Sequence, residues 1–265
     1  MSPLPLFMRD AKAAEILQEV IECIPKRTKV YLVGGAARNA VFYDMYKKAP
    51  PQRDYDLLLI GDMQAFVKNL RARGFTYGKM RRKHMTVLKK KRIPKPKHIH
   101  NDYIYLDIKI SQYKTMKENL RYDVNFTINQ FALPLQSATS KAWKKKLITY
   151  PGAIEDMKRK QLRLNPDDKK IHSGNLFACM RFMSLGFKQP TKQEVAQLCR
   201  AFAAFAPQRY PRNAKKLLTY VGGEAQVRKL AGKLGIQENL LSYSTVRKYR
   251  KARDAEHKQN RSIKQ

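Results

Sequence analysis

The chain contains no apolar run approaching the roughly 18 residues that a membrane-crossing helix needs, so no membrane partner is expected. It has only three cysteines, Cys23, Cys179 and Cys199, without CxxC spacing and each among apolar neighbours. They read as reduced core residues, which argues against a zinc site or a disulfide scaffold. His98 and His100 lie in a Lys/Pro-rich stretch with no cysteine near them, so histidine supplies no metal site either. A repeat of the solenoid kind is missing. Acids are the scarcest commodity: 21 Asp and Glu stand against 55 Lys and Arg, a formal net charge of +34 over 265 residues. Self-repulsion of that size opposes compaction unless a polyanion shares the surface, which makes nucleic acid the first partner to consider and a merely solvated lysine surface the minority reading. The N-terminal stretch MSPLPLFMRDAKAAEILQEV carries acids early and lacks the layout of a secretory signal, so a cytoplasmic location is expected.

What is present is enough to fold. At 43% hydrophobic, the chain is long enough for one full core and a second, smaller lobe. Residues 11–23, AKAAEILQEVIEC, place apolar side chains at helical spacing before Pro25, and KVYLVGG reads as a short buried strand ending in glycine. A helix from Ala36 to Tyr46, a strand YDLLLIG and a helix MQAFVKNLRARG closed by Gly74 follow. HMTVLKK and YIYLDIKIS have strand composition and are joined by KKRIPKPKHIHND, an exposed loop by its prolines and charges. After Ser111 the pattern turns helical: NFTINQFAL is compatible with a helix, GAIEDMKRKQL with another, and IHSGNLFACMRFMSLGF with a third for which Ser173 is a candidate cap. KQEVAQLCRAFAAFA, RNAKKLLTYVG, EAQVRKLAGKLG and LLSYSTVRKYRKARDAEHK continue the run of helices. The fold class expected is α+β, a mixed sheet with helices followed by an all-helical region, with a boundary near the polar stretch PLQSATSKAWKKK.

Chemistry concentrates in VYLVGGAARNAVF and QRDYDLLLI. Two carboxylates at i and i+2 of a strand lie on one side of a sheet, about 7 Å apart along the chain, where their oxygens can converge on divalent ions. Asp54 and Asp56 have that spacing. Mg²⁺ takes one or two carboxylates together with substrate phosphates and water, and a pair of such ions activates a hydroxyl and steadies a pyrophosphate leaving group, which is nucleotidyl transfer. Gly34 and Gly35, with Ala36 and Ala37 behind them, leave a helix start unobstructed for a triphosphate, and Arg38 adds a bidentate cation. Each feature taken alone has a plainer reading, the glycines as a tight turn and the Asp-x-Asp as a loop or cap feature. Asp107, set among apolar residues in YIYLDIKIS, is either a third metal ligand or general base, or the partner of a nearby lysine.

LVGGAARNAVF with RDYDLLL resembles the nucleotide-binding signature of the class II tRNA nucleotidyltransferase (CCA-adding enzyme) and bacterial poly(A) polymerase family, roughly LVGGxVRDxLLG followed by DxD. NFTINQFAL is similar to that family's RRDFTINAL, PGAIEDMKRKQLRL to its DPFGGIEDLKxxxLR, and GNLFACMRFMSLGF to its LRxLRAxRFAxxLGF, in the same order over residues 28–187. The resemblance implies a nucleotidyltransferase head with a five-stranded sheet over residues 1–138, a helical neck over 139–190 and a short helical body with a basic tail over 191–265. Gly34, Gly35 and Arg38 would hold the triphosphate of an NTP, Asp54 and Asp56 two Mg²⁺ ions, and Asn129 falls at the family's asparagine.

The departures are as informative. Asn39 stands where the family has Asp, and Asp123-Val124-Asn125 where it has Arg-Arg-Asp, with Arg121 as a substitute cation. The family's base-selecting EDxxR aligns with Ile171, His172, Ser173, Gly174 and Asn175; of these His172 and Asn175 can still hydrogen-bond a base, or else simply start a helix. The added charge is concentrated at 79–97, including Lys89, Lys90, Lys91 and Arg92, at Lys144 and Lys145, and in the tail at Arg247, Lys248 and Arg250, all candidates for gripping RNA in a salt-dependent way. Tyr103, Tyr105, Tyr122 and Trp143 are candidate base-stacking residues, or core. The expectation is a metal-dependent, template-independent RNA 3′-end nucleotidyltransferase acting on tRNA or another RNA end. The competing expectation is a non-catalytic RNA-binding or ribonucleoprotein-assembly subunit on the same head; a toxin-like transferase modifying a host RNA or protein is weaker still. A compact Lys-rich chain of this kind suits a virus, phage or organelle.

Overall fold

The computed structural model describes residues 5, 11–48, 54–81, 84–90, 103–168, 171–203 and 210–236. Two compact units divide the chain, residues 1–158 and 159–265. Among the described residues, no helix is long and apolar enough to cross a membrane.

The first unit is built on a mixed sheet. Its strands are β1 (Lys29–Val33), β2 (Asp54–Ile60), β3 (Thr76–Arg81), β4 (His84–Lys90), β5 (Tyr103–Ile110), β6 (Phe131–Pro134) and β7 (Ile148–Thr149), in the spatial order β3-β4-β5-β2-β1-β6-β7. β2 and β5 run parallel and every other pairing is antiparallel. The first five strands make the expected mixed sheet, and the short β6 and β7 extend its edge beyond β1. Alternation sorts the side chains by face. Leu32 lies beside Leu57, and Leu57 beside Ile108, a row at most 1% exposed; Val30 and Leu59 continue that face. On the other face stand Tyr31, Leu58 and Lys109 in one row and Val33, Asp56 and Asp107 in the next.

Helices α1 (Ala11–Glu22), α2 (Gly34–Tyr46), α3 (Met63–Ala72) and α4 (Met116–Tyr122) accompany the sheet. α1 and α3 are joined by Asn69 Nδ2 donating to the Cys23 carbonyl at 2.9 Å and by the Arg73–Glu22 ion pair at 3.0 Å. α3 starts on an Asp62 cap, whose side chain accepts from the Ala65 N–H, and ends at Gly74 with φ +78, the left-handed exit glycine supplies. α4 opens with a reciprocal capping box between Thr115 and Glu118, and its Met116 and Leu120 pack on Leu58 and Ala132.

Two local expectations change. NFTINQFAL is not a helix: Thr127–Asn129 forms a single 3-10 turn and Phe131–Pro134 becomes β6. Its apolar residues at 126, 128 and 131–133 are all buried; 128, 131 and 132 keep helical spacing, but the run is short, and beside the free edge of β1 it is taken up as a strand. α2 begins at Gly34 rather than Ala36, with no loop after β1. The two compact units divide between 158 and 159, and the stretch from 139 to 158 builds on the first sheet. Trp143, in the short helix α5 (Trp143–Lys146), is only 2% exposed, and β7 pairs with β6. Trp143 is therefore core rather than a surface on which bases stack.

The second unit is helical: α7 (Asn175–Ser184), α8 (Lys192–Ala203), α9 (Tyr210–Val221) and α10 (Glu224–Lys233) follow α6 (Ala153–Arg159), which spans the division. α7 supplies the centre through Leu176, Cys179 and Met180, each fully buried; Phe177 meets Phe202 of α8 edge-on at 5.2 Å, and the Arg181 guanidinium lies 5.1 Å over the ring of Tyr220 in α9. Gly174, not Ser173, is the residue before α7, and no side chain caps it. Glu194 closes a capping box with Thr191 and also accepts from the Leu164 N–H at 2.7 Å, tying the start of α8 to the preceding chain. The three cysteines form no disulfide: Cys23 and Cys179 are buried and Cys199 is half-buried, and burial pushes the Cys179 thiol up to about 12.

Truncating the tryptophan tests whether the stretch after residue 138 belongs to the first unit. Trp143→Ala should lower the unfolding free energy by about 3–5 kcal/mol in urea titrations followed by far-UV circular dichroism; a change near zero would make the stretch peripheral.

Candidate active site

The site forms where β1 hands over to α2. Val33, the last strand residue, lies opposite Asp56, and the chain turns through Gly34 at φ +60 directly into the helix. A Cβ built on Gly34 would stand 2.5 Å from Asp56 Oδ2 and 3.2 Å from its Cγ, so a side chain here would collide with the carboxyl group as well as strain the backbone. The two glycines play different parts. A Cβ on Gly35 would meet Arg38 Nη2 at an ordinary 3.7 Å, so sterics alone does not demand glycine at that position. No acidic residue occupies the first turn of α2, and no side chain caps it. Its leading amides therefore keep the partial positive charge of a helix start beside an acidic group.

Register builds the acidic row. Asp56 pairs with Asp107 across the parallel β2/β5 ladder, and Asp107 with Thr86 on β4, so Thr86, Asp107, Asp56 and Val33 cross the sheet side by side. Adjacent strands lie about 4.8 Å apart, which puts the two carboxyl groups within reach of a common ion. Asp56 is half-buried, whereas α4 covers the next row at Leu58. Lys109, two residues beyond Asp107, pairs at 3.2 Å with Asp123 just past α4. Asp54 sits two residues before Asp56 in β2, in the same phase of the strand's alternation; its side chain is not among those described. Among the described residues, no three His, Cys, Asp or Glu side chains gather as a metal centre. The donor set nevertheless fits Mg²⁺, which takes one or two carboxylates and completes its shell with water and phosphate oxygens, and glycine at 34 keeps the space beside Asp56 clear.

Arg38 leaves the first turn of α2 and is held by three hydrogen bonds. Nη1 donates to Asn129 Oδ1 at 2.9 Å; Nε and Nη2 donate to Asn39 Oδ1 at 3.2 and 2.9 Å. These acceptors are neutral amide oxygens, which fix the guanidinium plane. Asn39 is 3% exposed and bonds the arginine in place of the carboxylate the resemblance led one to expect. Asn129 thus belongs to the site by contact with Arg38.

The other expected residues lie on other elements. Arg121 lies in the last turn of α4 with its guanidinium 5.0 Å over the ring of Tyr122, which itself is exposed and stacks on Tyr113 at 5.8 Å. In the second unit His172 is exposed and Asn175 is 5% exposed at the start of α7. Lys144 bonds Asp44 at 2.6 Å and Lys145 is exposed. Lys89 and Lys90 fall in β4, where side chains are not described, as at Tyr103 and Tyr105; Lys91, Arg92, Arg247, Lys248 and Arg250 lie outside the described residues. One pair escapes a reading of the sequence. Thr127 and Asp156, 29 positions apart and both buried, bond at 2.6 Å. Both lie in segments that carry the family resemblance, NFTINQFAL and PGAIEDMKRKQLRL, but no spacing announces that they bond each other.

No family model matches the chain, and no curated protein matches it by sequence. Solved structures do. A CCA-adding enzyme in complex with ATP superposes with a TM-score of 0.61 at 19% identity, covering 84% of this chain and 52% of that one. The Thermotoga maritima CCA-adding enzyme complexed with tRNA gives 0.54 at 18%, covering 83% and 53%, and the Bacillus stearothermophilus CCA-adding enzyme with CTP gives 0.54 at 18%, covering 84% and 51%. The fold is that of the CCA-adding enzymes. This chain spans about half the length of the CCA-adding enzymes it matches.

The close approach of Gly34 to Asp56 can be measured by a double-mutant cycle. Gly34→Ala costs about 1–2 kcal/mol from its left-handed backbone alone, and in the native protein it should cost about 1 kcal/mol more than in an Asp56→Ala background, where the collision is gone. Chemical denaturation of the four proteins gives the difference; equal costs would mean that the carboxyl group does not abut the glycine.

Proposed function

We propose that the chain is a metal-dependent nucleotidyltransferase that adds nucleoside monophosphates from NTPs to an RNA 3′ end without a template. The observation that carries this reading is the placement of Asp56 between Asp107 and the glycine-started helix α2, from which Arg38 projects near Gly35, held by Asn39 and Asn129. The CCA-adding enzymes of similar fold that are bound to CTP, ATP and tRNA support NTP and RNA as the substrate pair.

In this reading the leading amides of α2, uncovered at Gly34 and Gly35, and the guanidinium of Arg38 grip the triphosphate. Asp54 and Asp56 hold Mg²⁺, and Asp107 either joins them or takes the proton of the attacking hydroxyl. Bound there, the metal would favour the ionised form of the RNA 3′-hydroxyl and share the negative charge of the phosphates. The 3′ oxygen bonds to the α-phosphorus as the bond from that phosphorus to the bridging oxygen breaks, and pyrophosphate departs between Arg38 and the helix start. The surplus of 55 basic over 21 acidic residues, with the exposed Lys145 among them, serves to hold the RNA.

Labelled ATP, CTP, GTP and UTP, each incubated with the protein, total RNA and Mg²⁺ or Mn²⁺, should transfer label to RNA 3′ ends. Asp56→Ala should reduce transfer by about 10³-fold, as expected for a group that acts on the transition state, and leave RNA retention in a gel-shift assay intact. Retention of RNA without transfer from any NTP would favour the non-catalytic RNA-binding subunit instead.

A further inference from the structure

Arg38 is oriented by Asn129, and Asn129 is the last residue of a 3-10 turn only three residues long. The turn has little freedom of its own. Its closing bonds run from the Asn129 N–H to the Phe126 carbonyl at 2.9 Å and from the Gln130 N–H to the Thr127 carbonyl at 3.0 Å. Phe126 and Gln130 on either side are at most 1% exposed, and Gln130 Nε2 donates to the Leu120 carbonyl of α4 at 2.8 Å, anchoring the far end.

The near end is anchored by Thr127. Its hydroxyl donates to Asp156 Oδ2 at 2.6 Å, with Thr127 5% and Asp156 4% exposed, so water does not compete for either group. Asp156 is itself seated in α6, where its N–H bonds the Gly152 carbonyl at 2.9 Å. A displacement of Thr127 must therefore move Asn129, two residues on, and with it the acceptor for Arg38 Nη1.

We propose that the buried Thr127–Asp156 hydrogen bond is a positioning device for the site: by clasping the 3-10 turn to α6 it fixes Asn129, and through Asn129 it aims the Arg38 guanidinium at bound phosphates. Thr127 and Asp156 touch no substrate in this scheme; they act through the arginine. The inference rests on the reading of Arg38 as a phosphate-holding group.

Calorimetric titration of the full chain with magnesium ATP, and separately with magnesium tripolyphosphate to remove the base, tests it without requiring turnover. Thr127→Val, which keeps the shape and removes the hydroxyl, should weaken both ligands about fivefold, the effect of one lost positioning hydrogen bond. Thr127→Ser should restore binding, and Thr127→Val should have no further effect in an Arg38→Ala background, because the pair acts through that side chain. Should the valine variant fail to fold, Asp156→Asn is put through the same cycle with Arg38→Ala, with the same coupling expected. A loss of thermal stability with affinity unchanged, an equal loss of affinity in both arginine backgrounds, or no rescue by serine would each overturn the positioning role. A flat titration of the unsubstituted protein would instead overturn the phosphate-site reading on which it rests, and that result would be seen before any variant is made.

Discussion

A carboxylate and the start of a helix occupy neighbouring space only because one residue between them has no side chain. Gly34 makes that approach possible, and the hypothetical Cβ at 2.5 Å from Asp56 Oδ2 measures how little room there is. The contact also locks the sheet. Val33 opposite Asp56 fixes the antiparallel register of β1 on β2, and a slip of one residue would turn Asp56 toward the face occupied by Leu57 and Leu59. That face is almost fully buried, and an acid there would carry a large desolvation penalty. The same register, continued across β2 and β5, sets Asp107 abreast of Asp56. Turn, register and acidic row are therefore one constraint, expressed in three strands.

The electrostatics follow from how sparingly acids are used. With 21 of them against 55 bases, several carboxylates meet a cation: Asp44 with Lys144, Glu22 with Arg73, Asp123 with Lys109 and Glu224 with Arg228 are such pairs. Exposed pairs of this kind contribute little to stability each. Asp56 and Asp107 stand side by side across a strand ladder, where like charges repel unless a cation or a hydrogen-bond donor sits between them. The positive helix start and Arg38 answer part of that need.

Much of this was legible in the sequence, and the legible parts share a cause. LVGG and DYDLLL combine local turn chemistry with strand alternation, both short-range properties, so the β1–α2 junction and the phase of Asp54 and Asp56 could be read directly. Asp107 was readable as an acid in an apolar strand, but its partner was not, because the β2/β5 pairing joins segments about 50 residues apart and depends on tertiary register. NFTINQFAL misled for a related reason: its conversion into a turn and β6 depends on the free edge of β1, which no local pattern announces. The attachment of Trp143 and β7 to the first sheet was hidden likewise, since they join a sheet whose edge strand is itself invisible locally. Thr127 and Asp156 left the faintest trace, as a hydrogen bond across 29 positions has no periodicity.

The asparagine at 39 shows how a departure from a resembling pattern can be conservative in geometry and altered in charge. A carboxylate at that place would hold the guanidinium as a salt bridge; the amide oxygen makes the same two bonds, from Nε and Nη2, as a neutral acceptor. Asn39 is 3% exposed, and a neutral amide there avoids the cost of burying an anion. In a chain of net charge +34 one further positive charge is trivial for the surface, whereas a guanidinium held by two amide acceptors is fixed in direction. The two asparagines therefore act on the arginine from different sides. Asn39 orients the guanidinium from its own helix, and Asn129 ties it to a turn that the rest of the first unit holds in place.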